Sequence, residues 1–342
     1  MNEILFFSVW RNKVILNEIQ RHHRLYNENK KIYIDKSMDQ LRYHPHRRYA
    51  TKIIINVNEP LEPHGQLIPY GTTKLKFYSS FNKPIQAGDI PTTVTSLQFS
   101  NTDIGFCNVY YSHRFDIKSV IPPSVTELSL GINQEISPNT LPPSLTSLTM
   151  ELDQDILIGT FPQSLTALKQ NNFNRTITPG SFGSIVDLSL ESFNQPLKAG
   201  DLPITCKYLY LGSYNQPLQP NILPPELKEL ELINFKHPLS HEISIQTFPH
   251  SIETLFFNSF NQVIKPNVLP PSITNLFLNK YNHPPSDGTI PNSVTYLTLP
   301  KLSSPLQVGV LPESLTKLTF KNGFDQPIDP ATIPQSVTQI SL

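Results

Sequence analysis

LPPSLTSLTM, residues 141–150, decides how the rest of the chain reads. Pro142 and Pro143 fix φ and supply no amide donor, which suits a turn and breaks a helix. Beyond the turn, apolar residues stand at the first, fourth and sixth places: Leu145, Leu148 and Met150. In a strand, successive side chains alternate across the pleat. Leu148 and Met150 therefore share a buried face, while Ser147 and Thr149, at places three and five, point the other way.

The unit recurs along the chain. Counted by the turn proline, copies lie at Pro69, Pro91, Pro122, Pro142, Pro162, Pro203, Pro224, Pro249, Pro270, Pro291, Pro312 and Pro334, with Phe182 replacing the proline in a thirteenth. The interval stays between 20 and 22 residues except for one of 31 and one of 25. A period near 21 lies in the range of leucine-rich-repeat units, which place one short strand in each coil. One coil cannot bury its apolar face alone, so neighbours must stack. The expected fold is a repeat solenoid, leucine-rich-repeat-like, with one short parallel strand per coil of about 21 residues. The convex side is expected to be irregular and a small helical head to precede the coils. KIIINVNEPL, residues 52–61, reads as a half-copy supplying the first strand. The expected division is a head over residues 1–48 and a repeat region over 49–342.

A second signature follows the strands: FNKPI (81–85), FNRTI (173–177), FNQPL (193–197), YNQPL (214–218), FNQVI (260–264), YNHPP (281–285) and FDQPI (324–328). The aromatic residue is expected to fill a corner of the core. The Asn (Asn82, Asn174, Asn194, Asn215, Asn261, Asn282) is expected to bond the neighbouring coil as a ladder. Ser recurs after the turn, as Ser124, Ser144, Ser164, Ser272, Ser293 and Ser314, and reads as a column of strand-entry hydrogen bonds. Thr recurs at place two, as Thr126, Thr146, Thr166, Thr274, Thr295, Thr316 and Thr338, and is explained by β-propensity. Joined to Leu-Pro-x-Ser-Leu-Thr-x-Leu, the Phe-Asn-x-Pro-Ile pattern resembles the FNIP repeat family over roughly residues 50–342. The resemblance implies a leucine-rich-repeat-like solenoid and no enzymatic activity.

No chemistry-bearing motif interrupts this regularity. Nucleophile-elbow, phosphate-loop, zincin and dinucleotide patterns are absent. The two cysteines, Cys107 and Cys206, form neither a disulfide framework nor a zinc spacing, and Cys206 fills a place where other copies carry Leu, Ile or Val. His237 and His241 stand four apart with Glu242 beside them, too few groups for a metal centre. The reading is therefore no enzyme and no cofactor. The longest early apolar run, ILFFSVW (4–10), is too short for a membrane span, so the cytoplasm or nucleus is the expected compartment. A repeat region with 16 Lys/Arg against 22 Asp/Glu after residue 52 argues against nucleic acid.

What remains free to vary is places three and five, expected to line a concave sheet. There the middle and late copies carry Tyr208, Tyr210, Glu231, Phe256, Phe277 and Tyr296, flanked by Lys228, Glu229 and Glu253. An exposed aromatic cluster of this kind suits a protein partner; the alternative is rings packed on one another to stabilise the sheet. The ten-residue excess around 104–115, rich in Tyr with Arg114, is a second candidate contact. Leu342 stands at the sixth place of a strand, and an open strand edge suggests weak self-association there.

The first 52 residues lack the repeat and carry 11 Lys/Arg against 5 Asp/Glu. Helical spacing of apolar residues, with Phe6, Trp10, Ile15 and Ile19 prominent, predicts one to three short helices. The run ILFFSVWRNKVILNEIQRHHRLYN (4–27) resembles the F-box-like head that precedes FNIP repeats in proteins of the social-amoeba type. That resemblance implies docking on a Skp1-type adaptor of a ubiquitin ligase through Phe6, Trp10, Ile15 and Ile19. The Leu-Pro that opens the F-box proper is absent. The other role open to the head is to cover the first coil of the solenoid.

Overall fold

The computed structural model describes residues 12–62, 67–100, 115–131, 134–239, 247–321 and 328–341. Phe6, Trp10, the stretch 104–114, His241 and Leu342 lie outside the described residues. The chain forms two compact units, one of residues 1–136 and 140–145, the other of residues 137–139 and 146–342.

The first unit opens with helix α1 (Lys13–Asn29), capped by Asn12, whose side-chain oxygen accepts the amides of Val14 and Ile15 at 3.0 and 3.4 Å. Strand β1 (Lys31–Ile34) follows, then the one-turn helix α2 (Asp39–Arg42) and a 3-10 turn (Arg47–Tyr49). Next come β2 (Lys52–Ile55), β3 (Lys74–Phe77), β4 (Ser96–Phe99), the short helix α3 (Ile117–Val120) and β5 (Glu127–Leu130). These strands pair in parallel in chain order, from β1 with β2 through β4 with β5. The first strand is thus Lys31–Ile34, not the 52–61 half-copy. Ile32 and Ile34 supply its buried face, a two-residue apolar pattern without the Pro turn or Phe-Asn signature of the later coils.

The second unit holds β6 (Ser147–Met150), β7 (Ala167–Gln170), β8 (Asp187–Leu190), β9 (Tyr208–Leu211), β10 (Glu229–Leu232), β11 (Thr254–Phe257), β12 (Asn275–Leu278), β13 (Tyr296–Leu299), β14 (Lys317–Phe320) and β15 (Gln339–Ser341). They too pair in parallel and in sequence order. Each unit is a parallel-strand solenoid whose coils repeat about every 21 residues.

The proline turn works as the sequence requires. The carbonyl of Pro142 accepts the amide of Leu145, and the carbonyls of Pro224, Pro270 and Pro312 accept those of Leu227, Ile273 and Leu315 in the same way. Each turn closes on the place-one residue, so the strand starts in a fixed register. The opposite turn needs a left-handed residue, supplied by Gly200 at φ 88° and, where glycine is missing, by Asn267 at φ 60°.

Places one, four and six are buried, as in Leu145, Leu148 and Met150 at 0–1% exposure. Burying each such side chain contributes about 1.5–3 kcal/mol. The aromatic of the second signature builds a spine in the second unit. Phe173 stacks on Phe193 at 5.8 Å, and Phe193 on Tyr214 at 6.1 Å, with ring planes within 6° of parallel. Phe235, Phe260 and Tyr281 continue the pattern at 6.1 and 6.4 Å.

Hydrogen bonds tie coil to coil. The Asn ladder is present: Asn174 Oδ1 accepts the amide of Asn194 at 2.9 Å, and Asn194 Oδ1 accepts that of Asn215 at 2.8 Å. Lys236 still donates its amide to Asn215 at 2.9 Å, but its own side chain has no acceptor to extend the ladder. Ser124, Ser144, Ser293 and Ser314 donate to the place-one carbonyl of the preceding coil, as Ser293 to Ile273 at 2.6 Å and Ser314 to Val294 at 2.7 Å, whereas the buried Ser272 hydroxyl breaks the column and finds no partner among the described residues. The threonine column does more than favour a strand. Thr295 Oγ1 donates to the carbonyl of Thr274 at 3.2 Å, and Thr316 Oγ1 to that of Thr295 at 3.1 Å. Each hydroxyl thus adds an axial bond to a carbonyl that already receives backbone amides.

Candidate functional site

With core, spine and ladders assigned, the outward places of the sheet are left. In the second unit the fifth place runs through register partners Ser189, Tyr210, Glu231, Phe256, Phe277 and Thr298. The third place runs through Asp187, Tyr208, Glu229, Thr254, Asn275 and Tyr296. Parallel strands lie about 4.8 Å apart, so residues named in succession are immediate neighbours.

Three of the aromatic residues meet. The Phe256 and Phe277 rings are 5.4 Å apart and tilted, and Phe277 meets Tyr296 edge-on at 4.9 Å. All three are half-buried, and Thr298 beside Phe277 is fully buried although it occupies an outward place. The Lys317 ammonium lies 4.3 Å from the centroid of the Tyr296 ring. A hydrogen bond with Thr319, aided by Lys317, holds the Tyr296 phenol below its ordinary range.

Tyr208 and Tyr210 form a separate group, divided from the aromatic trio by the carboxylates of β10. Tyr208 is 45% exposed, and Tyr210 donates its hydroxyl to Glu191 Oε1 at 3.3 Å. Burial, and then that bond to a carboxylate, push the Tyr210 phenol up to about 12. Glu231 sits between Tyr210 and Phe256 in the register. Burial and the neighbouring Glu229 charge raise its carboxyl above the ordinary range, and burial raises that of Asp187. At the edge of this group Lys228 pairs with Glu253 at 2.5 Å. The six residues singled out in the sequence therefore lie on one sheet face, as an acidic and tyrosine-bearing part beside an aromatic part.

Glu191 and Lys317 were missed as members of this face. Lys317 shares place three with Tyr296 on the next strand and could have been found by extending the column. Glu191 follows β8 and falls outside the place numbering, so only the three-dimensional contact with Tyr210 reveals it.

On the head, Ile15 and Ile19 are 39% and 40% exposed and one helical turn apart, and no residue of α1 is buried. His22 of α1 contacts the Tyr49 hydroxyl through Nδ1 and lies 3.3 Å from Glu18 through Nε2. Cys206 is fully buried, and burial pushes its thiol up to about 12, which keeps it protonated and packed. His237 bonds the Asn215 carbonyl at 2.9 Å. Among the described residues no group of three or more His, Cys, Asp or Glu could hold a metal ion, and no described helix is long and apolar enough to cross a membrane.

The FNIP Repeat model matches residues 58–102, 111–153, 193–235, 214–260, 260–302 and 303–342. Two FNIP repeat-containing proteins of Dictyostelium discoideum are similar, at 37% identity over 91 residues and 36% over 100. The matches cover 26% and 29% of this chain but 11% and 27% of those proteins, so the chain spans only a minor part of the relatives it matches. Among solved structures, the circular leucine-rich-repeat protein CroV588 superimposes with a TM-score of 0.68 at 31% identity, covering 85% of this chain and 46% of that one. The TLR13–ssRNA13 complex shares the fold at 15% identity, with a TM-score of 0.57 over 86% of this chain and 50% of that one. On the repeats matched by the family model and the coil structure that carries them, the chain belongs to the FNIP repeat family.

Proposed function

We propose that the chain is a non-enzymatic interaction scaffold that binds another protein through the outward face of β8–β13. The observation that carries this reading is the half-exposed set Tyr208, Tyr210, Glu231, Phe256, Phe277 and Tyr296 on one face of adjacent strands. Clustered Tyr and Phe give large contact area for little lost side-chain freedom. The carboxylates of Asp187, Glu229 and Glu231 favour a partner segment that pairs basic with apolar side chains. Tyr210→Ser with Phe277→Ser, compared with the wild type in capture from the native cell, tests the reading. Partners lost by a folded variant support it; unchanged capture removes it.

A second reading adds a task for the head. Ile15 and Ile19 are exposed on a helix none of whose residues is buried, which favours docking over covering the first coil. In this version the chain is a substrate receptor of a Skp1-cullin-type ubiquitin ligase, with α1 on the adaptor and the repeats on the target. Mixing purified chain with a Skp1-type adaptor, with and without Ile15→Asp and Ile19→Asp, decides it. A complex that the substitutions abolish supports the receptor role, and no complex leaves the scaffold alone.

A further inference from the structure

The outward face of the first unit has a chemistry of its own. Register pairs Lys31 with Lys52 and Lys52 with Lys74, so three lysines stand side by side at the third place of β1, β2 and β3. All three are exposed. Lys76, two residues along β3, shares their face. Parallel strands hold the three backbone positions about 4.8 Å apart. Like charges on neighbouring strands destabilise a sheet, so an uncompensated row of this kind calls for an explanation. Among the described residues no carboxylate forms an ion pair with any of the four. In the other unit, by contrast, Lys228 is paired with Glu253.

We propose that the outward face of β1–β3 binds an acidic, extended segment of a partner protein, in addition to the aromatic face of the other unit and independently of it. In an extended segment, alternate residues project to the same side about 6.6–6.8 Å apart. The four-carbon stems of lysine are long and flexible enough to meet carboxylates at that spacing. A single-stranded nucleic acid also carries negative charge, but it binds by stacking bases on free ring faces. Here the Lys76 ammonium lies 4.3 Å from the Tyr78 ring centroid, and Tyr33 meets Tyr78 edge-on at 6.1 Å. The Tyr33 hydroxyl in turn accepts the Asn56 amide at 2.9 Å. With the Tyr78 face occupied and the lysine row only three strands wide, a peptide fits better than a polynucleotide.

The test uses the full chain and a fluorescently labelled peptide of alternating Glu and Thr, read by anisotropy. A Gln-Thr peptide of equal length and a labelled oligothymidylate are the comparison probes. The Glu peptide should bind, weaken as salt rises, and lose at least about tenfold in affinity with Lys52→Glu and Lys74→Glu combined, whose removal of the charge pairing sets that scale. Lys280→Glu, an exposed site in the other unit, should leave binding unchanged. If the reversed pair folds poorly, Lys52→Gln with Lys74→Gln carries the same test. No binding of the Glu peptide, equal binding of the Gln peptide, an equal loss with Lys280→Glu, or tighter binding of the oligothymidylate would overturn the proposal.

Discussion

The two faces of each strand in the second unit obey different rules. The inward places repeat with little variation: Leu209, Leu230, Leu255, Leu276 and Leu297 occupy one buried column across five coils. The outward places over the same coils read Tyr210, Glu231, Phe256, Phe277 and Thr298. Every inward residue must fit the coil before and after it, and a close-packed interior tolerates few shapes. An outward residue is held only by its neighbours on the sheet face, which leave most of these places partly exposed and cover Thr298 fully. Repetition therefore marks what holds the coils together, and departure from it marks what the packing leaves free to vary.

The comparison is tested hardest at the aromatic spine. Phe193 is stacked between Phe173 and Tyr214 and is 1% exposed. Phe193→Ala should cost about 3–5 kcal/mol of unfolding free energy, measured by urea denaturation. The ladder should matter less. Asn194→Ala removes the acceptor of the Asn215 amide, and a loss of about 1 kcal/mol is expected by the same measurement.

A smaller effect comes from the outward face. The Glu231 carboxyl is held above its ordinary value of 4.5 by burial and by Glu229. A raised carboxyl contributes stability that is fully present below the ordinary value and is lost as pH rises through the raised one. Glu231→Gln should therefore unfold at a higher temperature than the wild type at pH 7, with the gap closing as the pH is lowered towards 4.5. A gap that widened in acid would show that Glu231 is instead stabilised as the anion.

Much of the fold was legible because the period near 21 brings the same duty round again. The turn prolines, the Leu columns and the Phe-Asn pair could each be read from their recurrence. KIYID (31–35) reads as a short strand or a helix end, but its place as the first strand of the sheet was not located, because it has none of those markers and only the pairing with Lys52–Ile55 assigns it. For the same reason the lysine row was invisible: Lys31 is aligned with Lys52 and Lys74 by register, not by any shared motif. The threonine column was seen, but β-propensity explained it well enough to hide the hydroxyl bonds along the axis. At the outward face the sequence named the six residues of β9–β13. The coil order already placed Glu229 and Glu231 between the tyrosines of β9 and the later aromatic residues, but ring contacts within the trio, and none from it to Tyr210 among the described residues, appear only in three dimensions.

Adjacent residues of β12 test the central claim most directly. Leu276 is fully buried, whereas Phe277 faces outward and is half-buried between Phe256 and Tyr296. Urea unfolding of Leu276→Ala and Phe277→Ala, side by side, should show a loss of about 2–5 kcal/mol for the first and about 1 kcal/mol or less for the second. A loss at Phe277 equal to or greater than that at Leu276 would make the aromatic face a part of the core and contradict its reading as the surface left free for a partner.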